Sequence, residues 1–344
     1  MQFPKTKTIE LELTSKCTIK CPNCPRTYQA HKRNLWDNGH IDSNKVNDFL
    51  KDVSPTLVLL TGAYGDGLYH PNLIDVIKKI KSIGSSFAMD TNGSYRKESD
   101  WQEIAQVMSN DDTVTFSIDG PPTNFTQYRV NADWTSIEKG IKILTKANKY
   151  VIWKYIVFKY NSSIDSLKEA YEKAKELNVS RFQIIDTHRA PQGQLVSKED
   201  FDKNTKLLKS YVDKLNTGPE LIISGTLKKH LVDESKFFET DNVRPKCMNS
   251  DNFQNFISSE GLFLPCCYMR VDQQDHFKDA GLSKKDIESM SIYTNTYDEI
   301  IKGPGFSKIM QNFDNIEVCR RICTKSKLKR RTTDNTTNGL LKWE

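Results

Sequence analysis

Long hydrophobic runs are missing from this chain, and so is a strong excess of one charge. No apolar stretch approaches the roughly 18 residues that suggest a membrane-spanning helix. The opening residues, MQFPKTKTIELEL, lack the basic region, apolar run and small-residue cleavage site of a secretory signal, so the expected location is the cytoplasm. Lysine and arginine number 50 against 44 acids, a net charge of +6 over 344 residues that does not point to nucleic acid. The local exception is KSKLKRR, Lys325 to Arg331, followed by the polar sequence TTDNTTNGLLKWE. It reads as a solvated, poorly ordered tail over 325–344, with a polyanion or partner contact as the alternative. No internal repeat is present.

What the chain does have is cysteine. In the cytosol thiols stay reduced, so the 8 cysteines read as metal ligands or reactive groups rather than disulfides. Three of them fall in LTSKCTIKCPNCPRT, at Cys17, Cys21 and Cys24, with the spacing C-x3-C-x2-C. A disulfide needs two thiols and a closed zinc site four ligands, for which only His31 and His40 lie nearby. Three thiolates can instead hold three irons of a [4Fe–4S] cluster and leave the fourth open. On spacing alone, iron–sulfur, zinc and incidental cysteines all remain.

The rest of the first 190 residues alternates short apolar runs with amphipathic stretches. Strands are expected at 8–13, 56–62, 85–91, 112–119, 150–158 and 181–186, and helices at 43–53, 72–84, 99–109, 134–148 and 164–178. The last helix carries Leu167, Ala170, Tyr171 and Ala174 on one face. Such alternation implies right-handed crossovers and a parallel sheet. The expected class is α/β, an open, partial (β/α)6 TIM-like barrel with a smaller cysteine-rich C-terminal domain. A flat doubly wound sheet fits the alternation too. The expected divisions are 1–196 for the barrel core, 197–239 for a helical linker, 240–324 for the second domain, and the tail.

The segment CTIKCPNCPR after IELELTSK resembles the cluster motif of the radical SAM superfamily. There S-adenosylmethionine (SAM) chelates the open iron. Further motifs fall at successive strand ends, where α/β barrels gather their reactive groups. TGAYGDGLYHP, Thr61 to Pro71, is similar to the family's Gly-Gly-Glu-Pro segment, with Gly65-Asp66-Gly67 where Gly-Glu-Pro is usual. This implies a SAM contact for Gly62, Tyr64, Gly65 and Asp66. DTNG (90–93) is a family-like turn, and in FSIDGPPTNFTQYR Ser117 and Arg129 fall where relatives hold the SAM ribose or carboxylate. Asn161 and Ile185 correspond to adenosine-pocket positions. Asn23 stands where an aromatic residue commonly packs by the adenine, a departure from the pattern.

CMNSDNFQNFISSEGLFLPC, with the spacing C-x13-G-x4-C, resembles the opening of the SPASM or Twitch extension, which carries auxiliary [4Fe–4S] clusters. With Cys319 and Cys323 as the only later cysteines, the resemblance implies one auxiliary cluster on Cys247, Cys266, Cys319 and Cys323. A structural zinc on the same thiols is the alternative. Cys267 occupies a position where sulfatase-maturing relatives carry a catalytic aspartate. It reads as an active-site thiol, a spare ligand or a small buried residue.

The implied activity is reductive SAM cleavage, fed by an external flavodoxin- or ferredoxin-type electron donor, on a peptide or protein side chain. A small metabolite, sugar or nucleotide is the second substrate reading, and a zinc-stabilised binding module the remote one. The polar stretch 28–42, with Trp36, is a candidate wall of the site. A Trp36→Ala chain should lose turnover while keeping its iron; full turnover with both clusters intact would remove that role.

Overall fold

Helix starts in this chain follow its short polar side chains. Asp42 accepts hydrogen bonds from the Asn44 and Lys45 amides and opens α1 (Ser43–Val53). Asp133 caps α4 (Trp134–Lys146) through the Thr135 amide, and Ser163 caps α5 (Ile164–Glu176) through that of Ser166. Asn148 and Asn178 leave α4 and α5 in the left-handed region, at φ 55° and 53°, which asparagine tolerates better than most residues. Two more helices, α2 (Leu73–Ser82) and α3 (Glu98–Val107), complete the expected set.

The computed structural model describes residues 6–27, 39–187, 190–224 and 254–323. All six expected strands are present: β1 (Thr8–Leu11), β2 (Leu57–Leu60), β3 (Ser86–Thr91), β4 (Thr113–Ser117), β5 (Tyr150–Ile156) and β6 (Arg181–Ile185). In β3 the alternation is clean. Phe87, Met89 and Thr91 are buried, while Ser86, Ala88 and Asp90 stay half-exposed on the opposite face. Parallel strands linked by helices give the α/β, partial-barrel class that the alternation implied, with seven successive parallel-sheet strands, β1–β7, before residue 225.

The chain forms two compact units. In the first, residues 1–16, 37–87 and 234–332, β1 pairs in parallel with β2 and with β8 (Gln254–Ile257). β8 turns back on β9 (Phe263–Leu264) as an antiparallel hairpin. Gly261, at φ 79°, makes that turn. Short helices follow: α7 (Gln273–Asp279), α8 (Lys284–Glu288), α9 (Tyr297–Lys302), α10 (Pro304–Gln311) and α11 (Glu317–Cys323). They enclose an apolar cluster that includes Phe256, Leu264, Met269, Phe277, Met290 and Ile309.

The second unit, residues 17–36, 88–233 and 333–344, holds β4, β5, β6 and β7 (Glu220–Ser224) in parallel succession, with β3 pairing β4 from Ala88 onward. The sequence reading placed 220–224 in a helical linker. Helix α6 (Lys198–Val212) is there, but ELIIS is a strand beside β6. All five of its residues stay at least partly exposed, so the segment lacks the continuous apolar signature of an inner parallel strand.

An aromatic chain fills this unit's core. Trp101 meets Phe116 at 5.4 Å between ring centroids, and Trp153 meets Phe182 at 5.9 Å. Each such side chain contributes about 1.5–3 kcal/mol through burial. Gly140 on α4 lets Trp101 approach: a Cβ there would lie 2.8 Å from the indole Cε2. Among the described residues no helix is long and apolar enough to cross a membrane. A Gly140→Val chain should lose about 1–3 kcal/mol of stability through overpacking against Trp101, read as a lowered urea midpoint.

Candidate functional site

In the second unit the three clustered cysteines lie in one loop. The Cys24 amide donates to the Cys21 carbonyl at 3.2 Å, and the Lys20 amide to the Val130 carbonyl at 2.9 Å. Ile19, Cys21, Tyr128 and Phe158 form a buried apolar group against which Cys17 and Cys24 pack. Two polar donors reach the sulfurs. Arg129 Nη1 lies 3.7 Å from Cys21 Sγ, and Asn92 Nδ2, from the DTNG turn, 3.5 Å from Cys17 Sγ. Burial pushes the Cys21 thiol up to about 11, against the pull of the Arg129 guanidinium.

Arg129 is itself aimed by a carboxylate that sequence reasoning did not single out. Asp119, fully buried, takes Arg129 Nε at 2.6 Å and Nη2 at 2.5 Å on one oxygen and the Ile156 amide at 2.8 Å on the other. Its position in SIDG, at a strand end ten residues before the arginine, was the available signal. Asn161 holds the same turn. Its Nδ2 donates to the Asp119 carbonyl at 2.9 Å and to that of Ile156 at 3.0 Å, while its Oδ1 accepts from the Phe158 amide at 2.7 Å. Its amide is thus committed to shaping the ends of β4 and β5. Ser117 is buried on β4 in register with Lys154, which pairs with Asp90 at 2.5 Å. Ile185 is half-buried at the end of β6, and Asn23 is exposed.

In the first unit the loop Gly62–Asp66 packs tightly on the chain after β1. A Cβ on Gly65 would lie 1.7 Å from the Thr14 carbonyl oxygen, so only glycine fits. The Asp66 amide donates to the Lys16 carbonyl at 2.9 Å. The Asp66 side chain accepts from the Leu68 amide at 3.0 Å and caps the turn Gly67–Tyr69. Gly67, where relatives carry proline, has open space around its missing Cβ. The Tyr64 amide donates to Glu12 Oε1 at 2.8 Å, and its ring lies under the Arg270 guanidinium, 4.7 Å away. Burial pushes the Tyr64 hydroxyl up to about 12. Sequence reasoning missed both Glu12 and Arg270.

Also in the first unit, Cys266, Cys267, Cys319 and Cys323 all pack against the apolar cluster of Phe256, Leu264 and Met269. Cys319 and Cys323 are four residues apart on α11 and share one face. Burial, and Glu10 beside it, raise the Cys267 thiol far above the ordinary range. Cys247 lies outside the described residues, as do His31, Trp36 and the basic tail. Among the described residues, seven cysteines stand as thiols without a disulfide, and no three His, Cys, Asp or Glu close on the position of a single metal ion.

The thiols at Cys17, Cys21 and Cys24 fit an iron–sulfur cluster by the chemistry of the donor set. They form an all-sulfur group in an apolar setting, with an arginine and an amide donating to sulfur.

Residues 11–174 match the Radical SAM superfamily. They form a radical SAM domain. A curated relative, the tungsten-containing aldehyde ferredoxin oxidoreductase cofactor-modifying protein of Pyrococcus furiosus, is 29% identical over 122 residues, 34% of this chain and 32% of the relative. This chain therefore spans about a third of that relative's length in the match. Among solved structures, Streptococcus suis SuiB bound to its precursor peptide SuiA superposes with a TM-score of 0.63 at 14% identity, covering 89% of this chain and 67% of SuiB. In the S-adenosylmethionine-bound SuiB structure the coverage is 77% and 61%, with a TM-score of 0.58 and 15% identity. The enzyme anSMEcpe with bound AdoMet gives 0.60 at 17% identity over 91% of this chain and 80% of that one. At these identities the likeness is one of fold, and it sets the radical SAM domain in the partial-barrel architecture described above.

Removing Arg129 leaves the buried Asp119 carboxylate without its cation, which costs about 3–5 kcal/mol. An Arg129→Met chain should show that loss as a lowered denaturation midpoint, and an Asp119→Asn, Arg129→Met double variant should recover part of it.

Proposed function

We propose that the chain is a radical SAM enzyme that modifies a peptide or protein side chain. The observation that carries the chemistry is the loop of Cys17, Cys21 and Cys24 with Arg129 and Asn92 against its sulfurs. When bound, the cluster and SAM supply reductive cleavage to a 5′-deoxyadenosyl radical that takes a hydrogen atom from the substrate. The residues that would hold them are the three thiols for iron, and for SAM Gly62, Tyr64, Gly65, Asp66, Ser117, Arg129, Asn161 and Ile185, with Asn23 at the adenine position. Asp119 fixes the arginine, so its fork reaches the site in one orientation. Asn161 acts through its backbone contacts, by holding the β5 end against Asp119.

An auxiliary [4Fe–4S] cluster on Cys247, Cys266, Cys319 and Cys323 belongs to the same proposal. Its support is the convergence of Cys266, Cys319 and Cys323 on one apolar cluster. A SPASM/Twitch-like domain over 240–324, an external flavodoxin- or ferredoxin-type donor and a cytoplasmic location complete it. The peptide reading draws on SuiB with its precursor peptide and on anSMEcpe with its Cp18Cys peptide, which share this fold. A small-molecule substrate is favoured instead by the Pyrococcus relative, whose name makes it a cofactor-modifying protein.

Iron, acid-labile sulfide and zinc per chain after anaerobic reconstitution test the proposal. About eight irons are expected, four for each of two cubane clusters. About four irons with about one zinc would keep the radical chemistry and reduce the second site to a scaffold. No iron would overturn the reading.

A further inference from the structure

The Gly62–Asp66 loop is held by a residue from the far end of the chain. Glu12, at the end of β1, has no solvent exposure on its side chain, and Arg270 has 4%. Glu12 Oε2 accepts from Arg270 Nε at 2.9 Å, the Ser259 hydroxyl at 3.0 Å and the Ser259 amide at 3.2 Å. Its other oxygen takes the Tyr64 amide at 2.8 Å. Gly62 closes on the same carboxylate: its Cβ position lies 3.0 Å from Glu12 Cγ. Arg270 then covers Tyr64 from above. The guanidinium stacks on the ring at 4.7 Å, and the Tyr64 hydroxyl donates to the Arg270 carbonyl at 3.1 Å. The remaining donors of the fork reach Glu260 at 2.9 Å, Gln273 at 3.2 Å and the Ser259 hydroxyl at 3.1 Å.

We propose that Arg270 is a positioning residue for SAM: through Glu12 and Tyr64 it sets the conformation of the Gly62–Asp66 loop, so that residues 258–273 are a working part of that site. The inference rests on the reading that this loop contacts SAM. Its logic is geometric. Two backbone groups fix the loop from beneath, the Thr14 carbonyl against Gly65 and the Lys16 carbonyl on the Asp66 amide. Only the Glu12–Arg270 pair fixes Tyr64 from both its amide and its ring. A lysine could neutralise Glu12, but it lacks the planar fork that meets Glu12, Ser259 and Glu260 together and stacks on the ring. Arg270 directly follows the turn Cys267–Met269, so the cysteine pair and the clamp share one short rigid segment.

The test is equilibrium binding of SAM to the iron-reconstituted chain and to Arg270→Gln, Arg270→Lys and Tyr64→Phe variants, with iron content and thermal midpoint measured alongside. Arg270→Gln should weaken SAM binding about tenfold or more, since misplacement by about 1 Å at a distance costs that order. The iron held at Cys17, Cys21 and Cys24 should be unchanged. Arg270→Lys should recover the thermal midpoint more fully than the affinity. Tyr64→Phe removes one hydroxyl committed to the Arg270 carbonyl, and it decides the matter if Arg270→Gln does not fold. It should weaken binding several-fold with an unchanged midpoint. Folded variants that bind SAM as the parent does would overturn the clamp alone. A parent chain that binds no SAM would overturn the reading of the loop and the clamp with it.

Discussion

A carboxylate sealed from water must be met on every side, and Glu12 imposes that condition on the first unit. Leaving an ion of this kind buried and unpaired costs several kcal/mol. Glu12 is satisfied by Arg270, Ser259 and the Tyr64 amide, which come from two segments far apart in the sequence. Neither segment can take its place without the other. The loop after β2 and the chain after β8 therefore order together, and β8 pairing directly with β1 supplies the frame. Local propensity plays little part here: polar groups hundreds of residues apart must arrive as a set.

The second unit meets the same demand with a different pair. Asp119 sits at φ 64°, a region that aspartate enters more readily than most residues but still at a cost. Its side chain is fixed by Arg129 and the Ile156 amide, and its carbonyl by the Tyr160 hydroxyl at 3.0 Å and Asn161. With so many partners the strained turn has a single geometry, and that geometry points the guanidinium at Cys21. In both units, a buried carboxylate next to the end of a parallel strand aims an arginine, and the arginine fixes a loop. The strand supplies rigidity and the ion pair supplies direction.

The strands and helices were legible because their apolar periods are local. So were the thiols, the DTNG turn and the SIDG strand end, since each is a contiguous motif. Glu12 was not. TIELEL reads as an alternating strand whose glutamates face water, and nothing within it says that Arg270 will cover one of them. β7 was hidden for the opposite reason, its residues staying too exposed to show an inner-strand pattern. Arg129 was placed from its motif as a ligand for SAM, whereas the structure gives one edge of its fork to Asp119 and Nη1 to a sulfur. Sequence order located these residues. Which hydrogen bonds they make is a question of three-dimensional partners.

The setting of Cys21 also narrows the chemistry that its loop can support. A thiol pushed up to about 11 is almost wholly protonated at neutral pH, so it is a poor nucleophile even with an arginine nearby. Cys267, raised further by burial and by Glu10, is poorer still. A metal alters the balance because it replaces the proton with a charge that stays, and the desolvation that disfavours an isolated thiolate no longer applies to a ligated one. Arg129 and Asn92 oppose that desolvation only weakly while the sulfurs are protonated. Once a sulfur is a thiolate ligand, the same donors stabilise its negative charge and help set the electron affinity of whatever it holds. An apolar cradle with two aimed donors suits bound, redox-active sulfur far better than a reactive thiol.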